Sequence, residues 1–276
     1  MKRWWVWVGA AIVGCGGRVE PLPQDVDVPS PRSAEREEET TGGGFTEPHP
    51  ALSDGDRLAP STCVTLRKSI EGGSPTVRIA MVDLDTGNVD VGPVVPGVDG
   101  VTSLGRLDGK LLACPKTHNG VLEIGRDGLW ERRGYKKCSG VTTNVEGIWL
   151  FDPTENAYSR YPNFRTLEAR MFDVLYLPEL PPVDVIGPAR GGLLGSWSKD
   201  HFVMRYGDGS NLATVAEASR GPVIGISETS GGRVVVSLAR AEGGDGSLEI
   251  FDASTQQRLR SISTGGTDMM GLFCGM

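Results

Sequence analysis

The chain has 276 residues, 28 basic and 35 acidic, for a formal net charge of −7. That balance argues against nucleic acid or anionic headgroups as partners of its surface, and no basic cluster is larger than Arg132-Arg133 or Lys136-Lys137. With 38% hydrophobic and 23% charged residues, the composition is that of an ordinary globular protein, long enough for one good-sized core.

Met1, Lys2 and Arg3 precede an apolar stretch at 4–14. It is too short for the ~20 residues of a membrane-spanning helix. A basic start, an apolar middle and small residues before the cut make a secretory signal. Its last residues, Ile12-Val13-Gly14-Cys15, resemble the bacterial lipobox. The resemblance implies a signal peptide at 1–14 and lipidation of Cys15 as the mature N-terminus. It also implies an exported protein tied to the cell envelope through that lipid. Two or more acyl chains suffice for stable anchoring. Gly16 stands where familiar enterobacterial lipoproteins retained in the inner membrane carry Asp, so the resemblance implies the outer membrane. Without the leader the chain has 26 basic against 35 acidic residues, a net charge of −9.

Residues 15–60 hold the lipidated cysteine and a segment rich in Pro, Glu and Gly, including the run Glu35-Arg36-Glu37-Glu38-Glu39 and Gly42-Gly43-Gly44. Such a segment buries too little apolar surface to offset its ordering entropy. The expectation is a disordered tether spanning on the order of 35–40 Å, more where proline and like charge stretch it.

From 61 to 276 the texture becomes short alternating runs ending in turn residues. Val77, Ile79 and Met81 alternate with Arg78, Ala80 and Val82, which reads as a strand with one buried face. The run ends at Asp83-Leu84-Asp85-Thr86-Gly87-Asn88, a turn with Gly available for positive φ. Comparable turns centre near 127, 154, 208 and 254, a mean spacing of 42 residues. Only Thr166 to Met171 suggests a short helix. The fold class is all-β.

Four cysteines follow the lipidated one: Cys63, Cys114, Cys138 and Cys274. An even number in an exported chain suggests two disulfides with three possible pairings, free thiols being the alternative. Cys63 opens the globular region and Cys274 nearly closes the chain, which favours Cys63–Cys274 with Cys114–Cys138.

Strand-and-turn units of this length mark a β-propeller. Residues 247–266, Ser-Leu-Glu-Ile-Phe-Asp-Ala-Ser-Thr-Gln-Gln onward, and 81–88, Met-Val-Asp-Leu-Asp-Thr-Gly-Asn, resemble blade hairpins of YVTN-type and quinoprotein-type propellers. The resemblance implies about five four-stranded blades, or six, with residues 165–188 as an insertion or a poor blade. It also implies ring closure by strands from the two ends of the chain in one blade. Asp268 to Cys274 is then a lone innermost strand, and a Cys63–Cys274 bridge would staple the closure.

No motif points to catalysis, a metal or a cofactor. Asp85-Thr86-Gly87 has no second copy to form an acid-protease pair. Ser196-Trp197-Ser198-Lys199 matches S-x-x-K without its helix or companion motifs. Asp83, Asp85 and Asn88, or Asp208 and Asn211, offer oxygen atoms without the spacing of a calcium loop. His49, His118 and His201 are isolated in sequence. Trp130, Trp149 and Trp197 read as packing between blades, with sugar stacking as the other use of such rings. The expected function is a lipid-anchored envelope module that binds or scaffolds an envelope protein or polymer. The alternative is a hydrolase or quinone-dependent oxidoreductase working from the central channel.

Overall fold

The computed structural model describes residues 58–116, 120–133, 138–152, 157–172, 174–176, 185–190, 192–196, 202–206, 212–217, 221–240 and 244–276. Its strands run in chain order. The first three are β1 (Thr62–Glu71), β2 (Ser74–Asp83) and β3 (Val89–Val94). Blade II holds β4 (Val101–Leu107), β5 (Lys110–Pro115), β6 (Val121–Ile124) and β7 (Trp130–Arg133). Blade III holds β8 (Gly140–Asn144), β9 (Gly147–Asp152), β10 (Ala157–Tyr161), helix α1 (Phe164–Glu168) and β11 (Val174–Tyr176). Blade IV holds β12 (Val185–Ala189), β13 (Gly192–Ser196), β14 (Phe202–Tyr206) and β15 (Leu212–Glu217). Blade V holds β16 (Val223–Glu228), β17 (Arg233–Leu238), β18 (Ser247–Asp252) and β19 (Arg258–Ser263), and β20 (Asp268–Cys274) ends the series.

Among the described residues these strands make five four-stranded antiparallel sheets. Four are simple meanders, and the fifth, blade I, has the order β20-β1-β2-β3. The first strand of each sheet packs on the first strand of the next: β4 on β8, β8 on β12, β12 on β16, β16 on β20 and β20 on β4. This circuit defines a five-bladed β-propeller. The last strand of the chain is the innermost strand of the first blade, and Cys63 lies opposite Cys274 in the β1/β20 register.

Each sheet is packed on both faces, so alternation along its strands sorts residues between two neighbours rather than between core and water. In β2, Val77, Ile79 and Met81 join the cluster shared with blade II, while Val82 joins the cluster shared with blade V. Ala80 is fully buried too. In β5, Leu111 and Ala113 face blade I and Leu112 and Cys114 face blade III. This corrects the reading of a single buried face.

The two best hairpins owe their shape to one device. The Asp83 carboxylate accepts the N–H groups of Asp85 at 2.8 Å and Thr86 at 2.9 Å, and Thr86 Oγ1 accepts Asn88 N–H at 3.2 Å. Asp252 does the same for Ser254 and Thr255, both at 2.9 Å, and Thr255 Oγ1 takes Gln257 N–H at 3.4 Å. The fifth position is left-handed in both, Gly87 at φ +83° and Gln256 at φ +61°. These hydrogen bonds favour the ionised acid: the Ser254 hydroxyl and the amides hold Asp252 at about 2, and the amides of Thr86 and Asp85 lower Asp83. A lowered folded-state value contributes stability above the unfolded pKa of ~4, lost as pH falls through ~2. Asp252→Ala is therefore expected to lower Tm at neutral pH, with the deficit shrinking as pH falls from about 4 to about 2. Thermal melts of both proteins across that range check it.

Both hairpins join the third and fourth strands of a blade, as does the turn near 127. The expected turns near 208 and 154 lie outside the described residues; by chain order the first falls between β14 and β15, third and fourth strands, and the second between β9 and β10, second and third strands. The equivalent connection in blade III is the segment around α1. Asn163 caps α1, its Oδ1 accepting Thr166 N–H at 3.0 Å while Thr166 Oγ1 accepts Asn163 N–H at 3.2 Å. The helix begins two residues before the expected Thr166 and ends at Glu168. Residues 165–188 are thus neither an insertion nor a separate blade. They hold most of α1, the outer strand of blade III and the start of the inner strand of blade IV.

Candidate functional site

The innermost strands approach so closely that several contacts admit only glycine. A Cβ at Gly105 would lie 3.0 Å from the backbone of Thr142 and Thr143, and one at Gly225 would lie 2.8 Å from that of Gly271. At Gly187 it would fall on the Ile226 carbonyl oxygen, and at Gly271 (φ +62°) it would lie 2.7 Å from Leu104. Hydroxyls stitch the same ring: Val141 N–H donates to Ser103 Oγ at 2.6 Å, and Cys274 N–H donates to Ser227 Oγ at 2.9 Å. Cα atoms of β4 also come within 8 Å of β12 and β16, across the ring. Adjacent inner strands thus meet backbone to backbone at these glycines.

Space opens instead at one mouth of the ring, on the face carrying the turns between first and second strands. A shallow cleft of roughly 200 Å³ lies there among Arg106, Asn144, Val145, Phe273, Met276 and Leu58, contributed by β4, the β8–β9 turn, β20 with the residues after it, and the segment before β1. Its floor is clamped: Thr143 Oγ1 accepts Arg106 N–H at 2.8 Å and donates to Arg106 O at 2.7 Å. Asn144 Oδ1 accepts Glu146 N–H at 2.9 Å and Trp149 Nε1–H at 3.2 Å, while its Nδ2 donates to Gly192 O at 3.3 Å. With Asn144 holding the turn, Val145 at its tip is 99% exposed. Phe273 and Leu58 form apolar walls, and Arg106 supplies a guanidinium. On the side of blades IV and V, Glu228 is buried and its Oε2 accepts Arg190 N–H at 2.9 Å, while Arg190 Nη1 donates to Ser230 O at 3.0 Å. A rigid floor, apolar walls and one cation suit reversible binding of an apolar group carrying a hydrogen-bond acceptor.

The structure joins Cys63 to Cys274, 211 residues apart, and Cys114 to Cys138, 24 apart. The first bond spans the ring closure. The second ties β5 of blade II to the segment entering blade III. Asp83 is committed to its turn, and Asp85 pairs with Arg233 at 2.8 Å. Ser196 is fully buried in strand β13, not at a helix start. Trp149 is buried under the Arg160 guanidinium, 5.8 Å from its ring. Among the described residues no three His, Cys, Asp or Glu side chains group as metal ligands. Cys15 and its leader, the tether to residue 57, His49, His118, His201, Trp197, Lys199, Asp208 and Asn211 lie outside the described residues.

The cleft residues Arg106, Asn144 and Val145 were not singled out in sequence. Their one local signal is Asn144-Val145-Glu146-Gly147, an apolar residue at the tip of a polar turn.

No family model matches the chain, and no curated protein matches it. Among solved structures it is similar to a chain in the crystal structure of a nidogen/laminin complex (TM-score 0.49, 9% identity, covering 78% of this chain and 98% of that one). It is also similar to a protein of unknown function from Bacteroides caccae (TM-score 0.43, 13% identity, 75% and 74%). The third is the computationally designed Ika8 protein (TM-score 0.37, 14% identity, 78% and 65%). The propeller assignment rests on the strand order and the closed circuit of innermost strands.

Proposed function

We propose that this protein is an exported lipoprotein, anchored to the outer membrane through acyl chains on Cys15. Residues 15–60 act as its tether, the end of which packs on the propeller through the buried Leu58, and its propeller is a binding module for an envelope protein or polymer. The observation that carries the binding role is the turn-face cleft. Three blades build it, its floor is hydrogen-bonded rigid, and a fully exposed Val145 stands at its rim. Large exposed apolar side chains over pre-organised sites favour contact with a partner. Export is supported by the two disulfides, which persist in oxidising compartments.

A photo-crosslinking amino acid at Val145 is expected to capture a discrete envelope component in cells, and the same group at Val91, on blade I, is expected not to. Equal labelling from both sites would remove the cleft from the proposal. Intact mass tests the anchor separately: a chain starting at Cys15 with added acyl mass supports it, and an unmodified chain retaining its leader overturns it.

A further inference from the structure

The chain enters the propeller across the ring mouth. Ala59 O accepts Thr62 N–H at 2.8 Å, closing a tight turn before β1. The carbonyls of Leu58 and Ala59 lie against Gly275, where a Cβ would fall on the Ala59 oxygen and lie 2.6 Å from that of Leu58. The Leu58 side chain is buried in the cluster of Leu104, Met270 and Phe273, with Met276 packed against it. Leu58 also lines the turn-face cleft together with Arg106 and Val145. The chain before Leu58 therefore starts from the wall of the cleft.

That preceding stretch reads Leu52-Ser53-Asp54-Gly55-Asp56-Arg57. Cα atoms are 3.8 Å apart along the chain, so Asp56 stays within about 8 Å of Leu58, Asp54 within about 15 Å and Leu52 within about 23 Å. Covalent connection alone confines two carboxylates to the neighbourhood of the Arg106 guanidinium and brings a leucine within reach of Val145. Guanidinium–carboxylate hydrogen bonds are among the stronger ones. A segment tied this closely acts at an effective concentration on the order of millimolar, so even a weak contact is populated. At roughly 200 Å³ the cleft falls below the ~300–1,000 Å³ of small-molecule pockets. It has room for a side chain or two, which is what this stretch offers.

We propose that residues 52–57 form a strap that occupies the cleft, with the carboxylates of Asp54 and Asp56 toward Arg106 and Leu52 over the apolar wall of Val145 and Phe273. The inference rests on the cleft being the binding site and adds its regulation. An outside partner reaches the cleft by displacing the strap, and its apparent Kd is raised by the inverse of the fraction of molecules in which the strap is out.

The test uses the full mature-length chain with Cys15→Ser, purified and dilute, carrying a photo-crosslinking amino acid at Val145. Illumination is expected to join that position to a peptide within 45–57 of the same molecule, read by mass after proteolysis of the monomeric product. Asp54→Lys combined with Asp56→Lys, and separately Leu52→Ser, are expected to lower the yield fivefold or more. Neither change alters a residue of the propeller. Absence of the crosslink, a crosslink only between two molecules or only to the propeller, or a yield that both variants leave unchanged overturns the strap. In cells, capture of the envelope component from Val145 is expected to rise severalfold in the same variants, and unchanged capture despite a lost strap crosslink overturns the regulation. Capture in cells without any strap crosslink refutes the strap and leaves the binding site standing. A strap crosslink with no capture from any variant supports the occupied cleft and removes the partner.

Discussion

Gly187→Ala is expected to be among the most damaging single changes in this protein. The added methyl falls on the carbonyl oxygen of Ile226 in the adjoining inner strand. That atom belongs to backbone packed in the ring, so it cannot swing aside as a flexible side chain would. Relief requires β12 and β16 to separate, which strains neighbouring contacts around a closed circuit. Overpacking commonly costs 1–3 kcal/mol and more where backbone must move, so a loss of about 3 kcal/mol or more is expected. That is a large part of the 5–15 kcal/mol by which a domain is stable. Gly231→Ala is the control: the nearest atom to its Cβ would be Thr229 Oγ1 at 3.7 Å, and its effect should stay within about 0.5 kcal/mol. Denaturant titration of both variants decides it, and equal midpoints would refute the argument.

The second large effect concerns the bridges. Chain-entropy reasoning assigns about 5 kcal/mol to closing the 211-residue loop between Cys63 and Cys274, and about 3.5 kcal/mol to the 24-residue loop between Cys114 and Cys138. Replacing Cys63 and Cys274 by alanine should therefore cost more than the same change at Cys114 and Cys138. Alanine avoids burying new hydroxyls where Cys63 and Cys274 are fully inaccessible. Unfolding midpoints of the two double variants test the order. A greater loss at the shorter loop would show that strain or residual structure, not loop closure, governs these bonds.

Turn chemistry made the propeller readable, because Asp-x-x-Thr hairpins carry their own hydrogen-bond partners and need no distant residue. The same habit misplaced blade III. Its turn at 152–156 looks like the others, while its equivalent connection hides behind the cap at Asn163 and Thr166. With α1 counted, the third-to-fourth-strand connections fall near 86, 127, 167, 208 and 254, more even than the spacing read from sequence. The inner ring also left a trace, in Val185-Ile186-Gly187 and Val223-Ile224-Gly225. Glycine inside a strand reads as a weakness until a second backbone is seen against it. The cleft was not legible at all. Arg106, Val145 and Phe273 come from three blades, and nothing local in sequence says that they share a mouth.

The strand order of blade I bears on how the protein comes into being. Strands β1 to β3 are made first, yet the inner edge of β1 has no partner until β20, more than 180 residues later, has been synthesised. Until then the nascent protein carries an open, apolar sheet edge of the kind that templates aggregation. Contacts of such long sequence separation form slowly, so a holdase chaperone has a defined window in which to act. Termination between β19 and β20 leaves four blades complete and blade I without its inner strand, so the ring stays unsealed, and quality-control proteases would meet the product as an exposed edge rather than a finished fold.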